Sequence, residues 1–177
     1  MILNQEKSLL LIIDIQEKLL NVVFNKDLLE KKSKILSKAC DILNIPVYIT
    51  EQYPQGLGET IPSLKKANNV FIKTSFNALC DENLLKALED SGKNQIIIMG
   101  IETHICVHQT VAALLDNGFS VTVVKDACGS REESEYSNAL NYMNQCGADI
   151  KTTEMILFEF LKTAKHPNFK EIQALIK

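Results

Sequence analysis

Three residues of this chain carry side chains that could share one reaction. Asp14 closes the apolar run SLLLIID (8–14), Lys73 closes NVFIK (69–73), and Cys106 follows the run NQIIIMG (94–100) by six residues. A carboxylate can take the proton of a thiol. A nearby ammonium favours the thiolate and steadies negative charge as it develops. Acid, amine and thiol together are the set that an acyl-transfer nucleophile requires. Each also has a plainer reading. Asp14 would cap a helix starting at Gln16. Lys73 would lay its stem along the surface with its charge in water. Cys106 would be one more small buried hydrophobe.

The elements around them decide whether the three can meet. Short apolar runs, rich in β-branched residues, recur at 8–14, 45–50, 69–73, 94–100 and 119–126, with a weaker one at 148–152. Their length and composition predict buried parallel strands. Between them, apolar residues at helical spacing predict helices over 26–44, 82–91, 104–117 and 132–146, and a last one from Pro167. Gly118 and Gly147 stand where two of these helices stop. Alternating strands and helices predict a single three-layer α/β/α domain over residues 1–177, with a mostly parallel six-stranded sheet. In such sheets ligands bind at the carboxyl ends of the strands. Asp14, Lys73 and Cys106 would all stand at that edge, with Cys106 in the first turn of a helix. The helix dipole and unpaired N–H groups there would favour its thiolate.

The bulk properties narrow the field. The 177 residues are 46% hydrophobic and 23% charged, with a formal net charge of −3. No basic face stands out, so nucleic acid is not an expected partner. No run is long and apolar enough for a membrane span, and the expected location is the cytoplasm. The five cysteines, Cys40, Cys80, Cys106, Cys128 and Cys146, are scattered and form no CxxC pair. A disulfide framework or a zinc ribbon is not expected.

Six stretches, LLIIDIQEKL (10–19), IPVYITEQYPQGLGET (45–60), FIKTSFNAL (71–79), IMGIETHICVHQT (98–110), VKDACGSR (124–131) and HPNFKEIQALIK (166–177), together resemble the isochorismatase-like cysteine hydrolases. The resemblance covers nearly the whole chain and is nearest to the isochorismatase domain-containing branch. It implies a triad of Asp14, Lys73 and Cys106, and a cis peptide between Ile101 and Glu102. It also implies an oxyanion hole made by the backbone N–H groups of Glu102 and Cys106. The activity implied is hydrolysis of a small amide or related acyl substrate through a thioester, with no cofactor, in a homo-oligomer. Nicotinamidases of this superfamily carry a metal site of an Asp and several histidines after the second strand. The matching stretch here, TEQYPQGLGET, has no histidine, so no catalytic metal is expected. The alternatives left open are a nicotinamidase-type amidase and a non-catalytic scaffold or binding protein that keeps the fold.

Gln16, Tyr53, Phe76, Thr103 and His104 are the expected pocket residues. Each has a structural alternative: the start of a helix for Gln16, a subunit contact for the loop of Tyr53, and core packing for Phe76. His104 and His108 are spaced i, i+4, but no third ligand accompanies them, which favours a helix-surface or interface role over a metal. Asp126 and Arg131 are expected to form a salt bridge or a helix cap around the turn after the fifth strand. Cys128 is expected to be a bystander.

Overall fold

The computed structural model describes residues 1–65 and 69–177. Six strands, β1 (Ser8–Ile13), β2 (Val47–Gln52), β3 (Val70–Lys73), β4 (Gln95–Ile101), β5 (Ser120–Gly129) and β6 (Asp149–Lys151), form one sheet in the order β3-β2-β1-β4-β5-β6. Every ladder is parallel, so the sheet expected to be mostly parallel is parallel throughout. β1 lies at the centre, and all six of its residues, SLLLII, are buried. A strand covered on both faces has no place for polar alternation, which is why this run is continuously apolar.

Each face of the sheet carries its own core. Leu10 and Ile12 of β1 pack under α2 (Lys26–Ile42), α7 (Thr153–Leu161) and α8 (Phe169–Ile176). Leu9, Leu11 and Ile13 pack under α4 (Glu82–Asp90), α5 (His108–Asp116) and α6 (Glu133–Gln145). Successive strand side chains point to opposite faces, so one apolar run supplies both cores. Burying each such Leu or Ile is worth about 1.5–3 kcal/mol.

The sequence reading misses α7. Its exposed positions include Met155 and Phe158, so the helix shows little of the polar face that helical spacing reveals. Thr152 caps it, and Asp126 accepts from both the backbone N–H (2.8 Å) and the hydroxyl (2.9 Å) of Thr153. Asp126 therefore lies within β5, which runs three residues beyond the expected 119–126. The single turn α3 (Pro54–Leu57) is also an addition to the sequence reading, whereas α1 (Glu17–Leu20) begins one residue after the expected helix start at Gln16.

The strand order places the site. The chain winds outward from β1 through β2 to β3, then returns to lay β4 on the other side of β1. The crevice at the switch point lies beyond the carboxyl ends of β1 and β4. Gly100 lets these two ends approach closely. A Cβ there would sit 2.1 Å from the carbonyl oxygen of Ile13, and φ is +148°. Among the described residues, no helix is long and apolar enough to cross a membrane.

Candidate active site

Asp14 follows β1 directly, with φ of 51° and a fully buried side chain. It does not cap a helix. α1 starts three residues later, and its N-cap is Gln16, which makes no side-chain capping bond. The Asp14 carboxylate instead faces β2 and β3. Thr50 donates its hydroxyl to Oδ1 at 2.7 Å, and Lys73 donates Nζ to Oδ2 at 2.7 Å.

Lys73 ends β3, so its side chain must cross β2 to reach Asp14. Its side chain is 1% exposed and that of Asp14 is 0%, which excludes the snorkelling arrangement. The Lys73 ammonium also donates to Gln52 Oε1 at 2.7 Å and to the carbonyls of Ser75 (3.2 Å) and Phe76 (3.4 Å). Gln52 is the residue paired with Lys73 across the β2–β3 ladder.

Cys106 arrives from the other side of β1. The Ile101–Glu102 peptide is cis. A π-helical turn, Thr103–Val107, then leads into α5, and the buried Cys106 sits inside it. π-turns inside helices are frequent at functional sites. Asp14 and Lys73 are the two charged groups that act on this thiol. Burial pushes it up to about 12, the Asp14 charge adds to the rise, and Lys73 opposes it. The thiolate-favouring position expected at a helix start is thus outweighed by desolvation. The same burial sets which proton movements the site favours. With the thiol intact, Asp14 and Lys73 cancel. Losing a proton to water would leave net negative charge in a buried site, whereas passing it to Asp14 leaves the site's net charge unchanged.

The other expected site residues fall in different places. Gln16 is fully buried, and its amide is bound to backbone. It donates to the carbonyls of Gln52 (3.0 Å) and Gly58 and accepts from Gln52 N–H at 2.8 Å. It fixes the 52–58 loop to the end of β1. Tyr53 and Phe76 are each 54% exposed and sit beside Lys73 in the chain fold: Tyr53 N–H donates to the Lys73 carbonyl at 2.9 Å, and Phe76 accepts from Nζ. Tyr53 adopts φ of 38°, and its ring leaves no room for a side chain at Gly56, where a Cβ would lie 2.4 Å from it. Thr103 is fully buried.

His104 turns away from Asp14, Lys73 and Cys106. Its Nδ1 is 2.9 Å from Ser130 Oγ, and with His108, Glu135 and Tyr142 it lines a separate cavity of about 270 Å³. Glu102 accepts from Arg131 Nε at 2.9 Å. The partner of Arg131 is therefore Glu102, not Asp126. Cys128 is fully buried within β5. Among the described residues, no three of His, Cys, Asp and Glu gather as a metal ion would require. Thr50, Gln52 and Ser130 are the polar partners that sequence reasoning missed. For Thr50 and Gln52 the signal available was the polar T-E-Q that closes the apolar run of β2.

Comparison with known proteins gives this architecture its relatives. Residues 8–155 match the Isochorismatase domain. Isochorismatase domain-containing protein 2 of Danio rerio is 40% identical over 177 residues, covering 98% of this chain and 89% of its own. A solved structure described as the MAR1 ribonuclease of Caenorhabditis elegans has a TM-score of 0.92 at 36% identity, over 98% of this chain and 91% of that one. YcaC from Pseudomonas aeruginosa, solved with hexane-2,5-diol and covalent acrylamide, has a TM-score of 0.92 at 27% identity, over 98% and 90% of the two chains. YcaC from Escherichia coli, described as an octameric hydrolase of unknown specificity, has a TM-score of 0.89 at 26% identity, over 97% and 94%. A family domain that spans most of the chain, and a relative 40% identical along nearly all of it, make this protein a member of the isochorismatase family, of the branch of isochorismatase domain-containing proteins.

Proposed function

We propose that this protein is a cysteine-dependent hydrolase of a small amide or related acyl substrate, acting through a thioester on Cys106. The observation that carries this reading is the fully buried Asp14–Lys73 pair set against the Cys106 thiol. A core gains little from burying two charges and a thiol together. Replacing such a pair by apolar residues is often neutral or stabilising. A nucleophile with its base and counter-charge gives the group a purpose.

In the proposed cycle, Asp14 takes the thiol proton as Cys106 Sγ attacks the carbonyl carbon. The oxygen of the tetrahedral species is held by the backbone N–H groups of Glu102 and Cys106. The C–N bond breaks, the leaving amine takes the proton from Asp14, and the acyl group stays on sulfur. Water then gives a proton to Asp14 and attacks the thioester, and the departing thiolate takes the proton back. Lys73 supplies a fixed positive charge throughout. Tyr53, Phe76 and Thr103 are the proposed pocket residues. The covalent acrylamide on the Pseudomonas YcaC supports a reactive nucleophile on this fold, and the octameric relative supports assembly of this chain, as one domain, into a homo-oligomer. The ribonuclease description of another neighbour finds no support in the net charge of −3.

The test is a panel of small amides and esters, with nicotinamide and a short RNA as separate arms, assayed with wild type and Cys106→Ala. Turnover of an amide or ester that Cys106→Ala abolishes is the expected result. Turnover confined to RNA, or equal in both proteins, refutes the reading.

A further inference from the structure

We propose that Gln52 is a positioning residue that fixes the Lys73 ammonium between Asp14 and Cys106. The proposal rests on the reading of Asp14, Lys73 and Cys106 as a catalytic group and adds the residue that aims its cation. An ammonium has three protons and no acceptor. Two of its contacts are short, to Asp14 Oδ2 and Gln52 Oε1, both 2.7 Å. The remaining contacts, to the carbonyls of Ser75 and Phe76, are longer at 3.2 and 3.4 Å and can take only a shared third proton. Asp14 and Gln52 therefore grip two protons, and the third, held only by these longer contacts, is the one left to answer negative charge on Cys106, whose thiol feels the Lys73 charge.

Gln52 is itself held on both sides. Its Nε2 donates to the Thr74 carbonyl at 2.7 Å, so only one orientation of the amide fits. The opposite flip would set its NH₂ against the ammonium and its oxygen against a carbonyl. Its backbone N–H and carbonyl are both bound by the buried Gln16 amide, two residues beyond Asp14. The two glutamines thus tie the carboxyl ends of β1, β2 and β3 into one frame around the ion pair. A neutral amide accepts from the cation without competing for its charge, as a second carboxylate would.

Two variants test this through the pH dependence of Cys106 alkylation by iodoacetamide, mapped by mass spectrometry, which needs no substrate. In Gln52→Leu the buried ammonium loses an acceptor for its charged form, and the charge that favours the thiolate weakens. Alkylation of Cys106 at about pH 9 is expected to slow by about threefold or more. In Gln52→Glu a new carboxylate offsets the cation, and the expected slowing is about tenfold, equal to a rise of about one pH step in the alkylation profile. The exposed Cys80 and Cys146 are internal references whose rates stay unchanged. If Gln52→Leu does not fold, Gln52→Glu decides. Wild-type Cys106 alkylation in a folded Gln52→Glu protein overturns the proposal. Slowed alkylation in a protein that hydrolyses nothing on the amide panel sustains the positioning role and removes the hydrolase reading. Wild-type alkylation in a protein that does hydrolyse amides removes only the positioning role.

Discussion

Lys73→Met removes the cation from a pair whose side chains are 1% and 0% exposed. The Asp14 carboxylate keeps the Thr50 hydroxyl at 2.7 Å but loses its counter-charge while fully buried. Breaking a buried pair from one side costs about 3–5 kcal/mol, because the remaining charge is stranded. At about 2–4 °C per kcal/mol for a chain of this size, Tm is expected to fall by about 6–20 °C. The double variant Asp14→Asn/Lys73→Met leaves no charge behind. It is expected to recover about 1.5–3 kcal/mol relative to the sum of the single variants. Urea unfolding and calorimetry on the four proteins measure both quantities. If Lys73→Met melts within about 2 °C of wild type, the pair is not a desolvated charge pair. If the double variant loses the full sum of the singles, the two residues do not interact. Either result refutes the electrostatic reasoning.

Alkali is expected to weaken the fold through its buried thiols. Burial holds Cys106 and Cys128 at about 12 in the folded chain, against an ordinary value of 9.0. Below pH 9 the stabilisation is fully present. As pH rises from 9 toward 12, the unfolded chain releases protons that the folded chain keeps, so stability falls by up to about 1.4 kcal/mol per pH step for each thiol. Cys106→Ala should make urea midpoints across this range fall less steeply, and an unchanged slope would contradict the assignment. Thr50→Val removes a hydrogen bond to a buried carboxylate and is expected to cost about 1.5–3 kcal/mol in urea unfolding. Gly100→Ala drives a Cβ to within 2.1 Å of the Ile13 carbonyl oxygen and is expected to destabilise far more than Gly118→Ala, which meets open space. Equal melting temperatures for these two variants would show that β1 and β4 do not approach as described.

The alternation of apolar strands and amphipathic helices was legible because each element announces itself by its own period. The places where it failed are physical. TEMILFEFL of α7 carries apolar residues on nearly all sides, the exposed Met155 and Phe158 included, and so has no polar stripe to count. The end of β5 runs through Lys125 and Asp126, whose charges look like a turn, but Lys125 is exposed at the strand surface and the Asp126 carboxylate is held by Thr153 and Lys32. At the site, Asp14 and Lys73 are found from the ends of their apolar runs, since a charge that stops such a run must be solvated or paired. Which of the two holds is a tertiary fact. The direction of the Lys73 side chain, across β2 and not outward, depends on the order β3-β2-β1. Thr50 and Gln52 gain their meaning only from that order. The acidity of Cys106 was misread for a similar reason: a helix start favours the thiolate locally, but desolvation depends on what packs over the turn.

The proposed reaction passes through a covalent intermediate on Cys106. Rapid quenching of the protein with a turned-over amide or ester, followed by intact-mass and peptide mass spectrometry, tests it most directly. An acyl adduct is expected on the peptide that carries Cys106, absent in Cys106→Ala and lost with time as water hydrolyses it. An adduct on another residue, or steady turnover by Cys106→Ala at the wild-type rate, would contradict it.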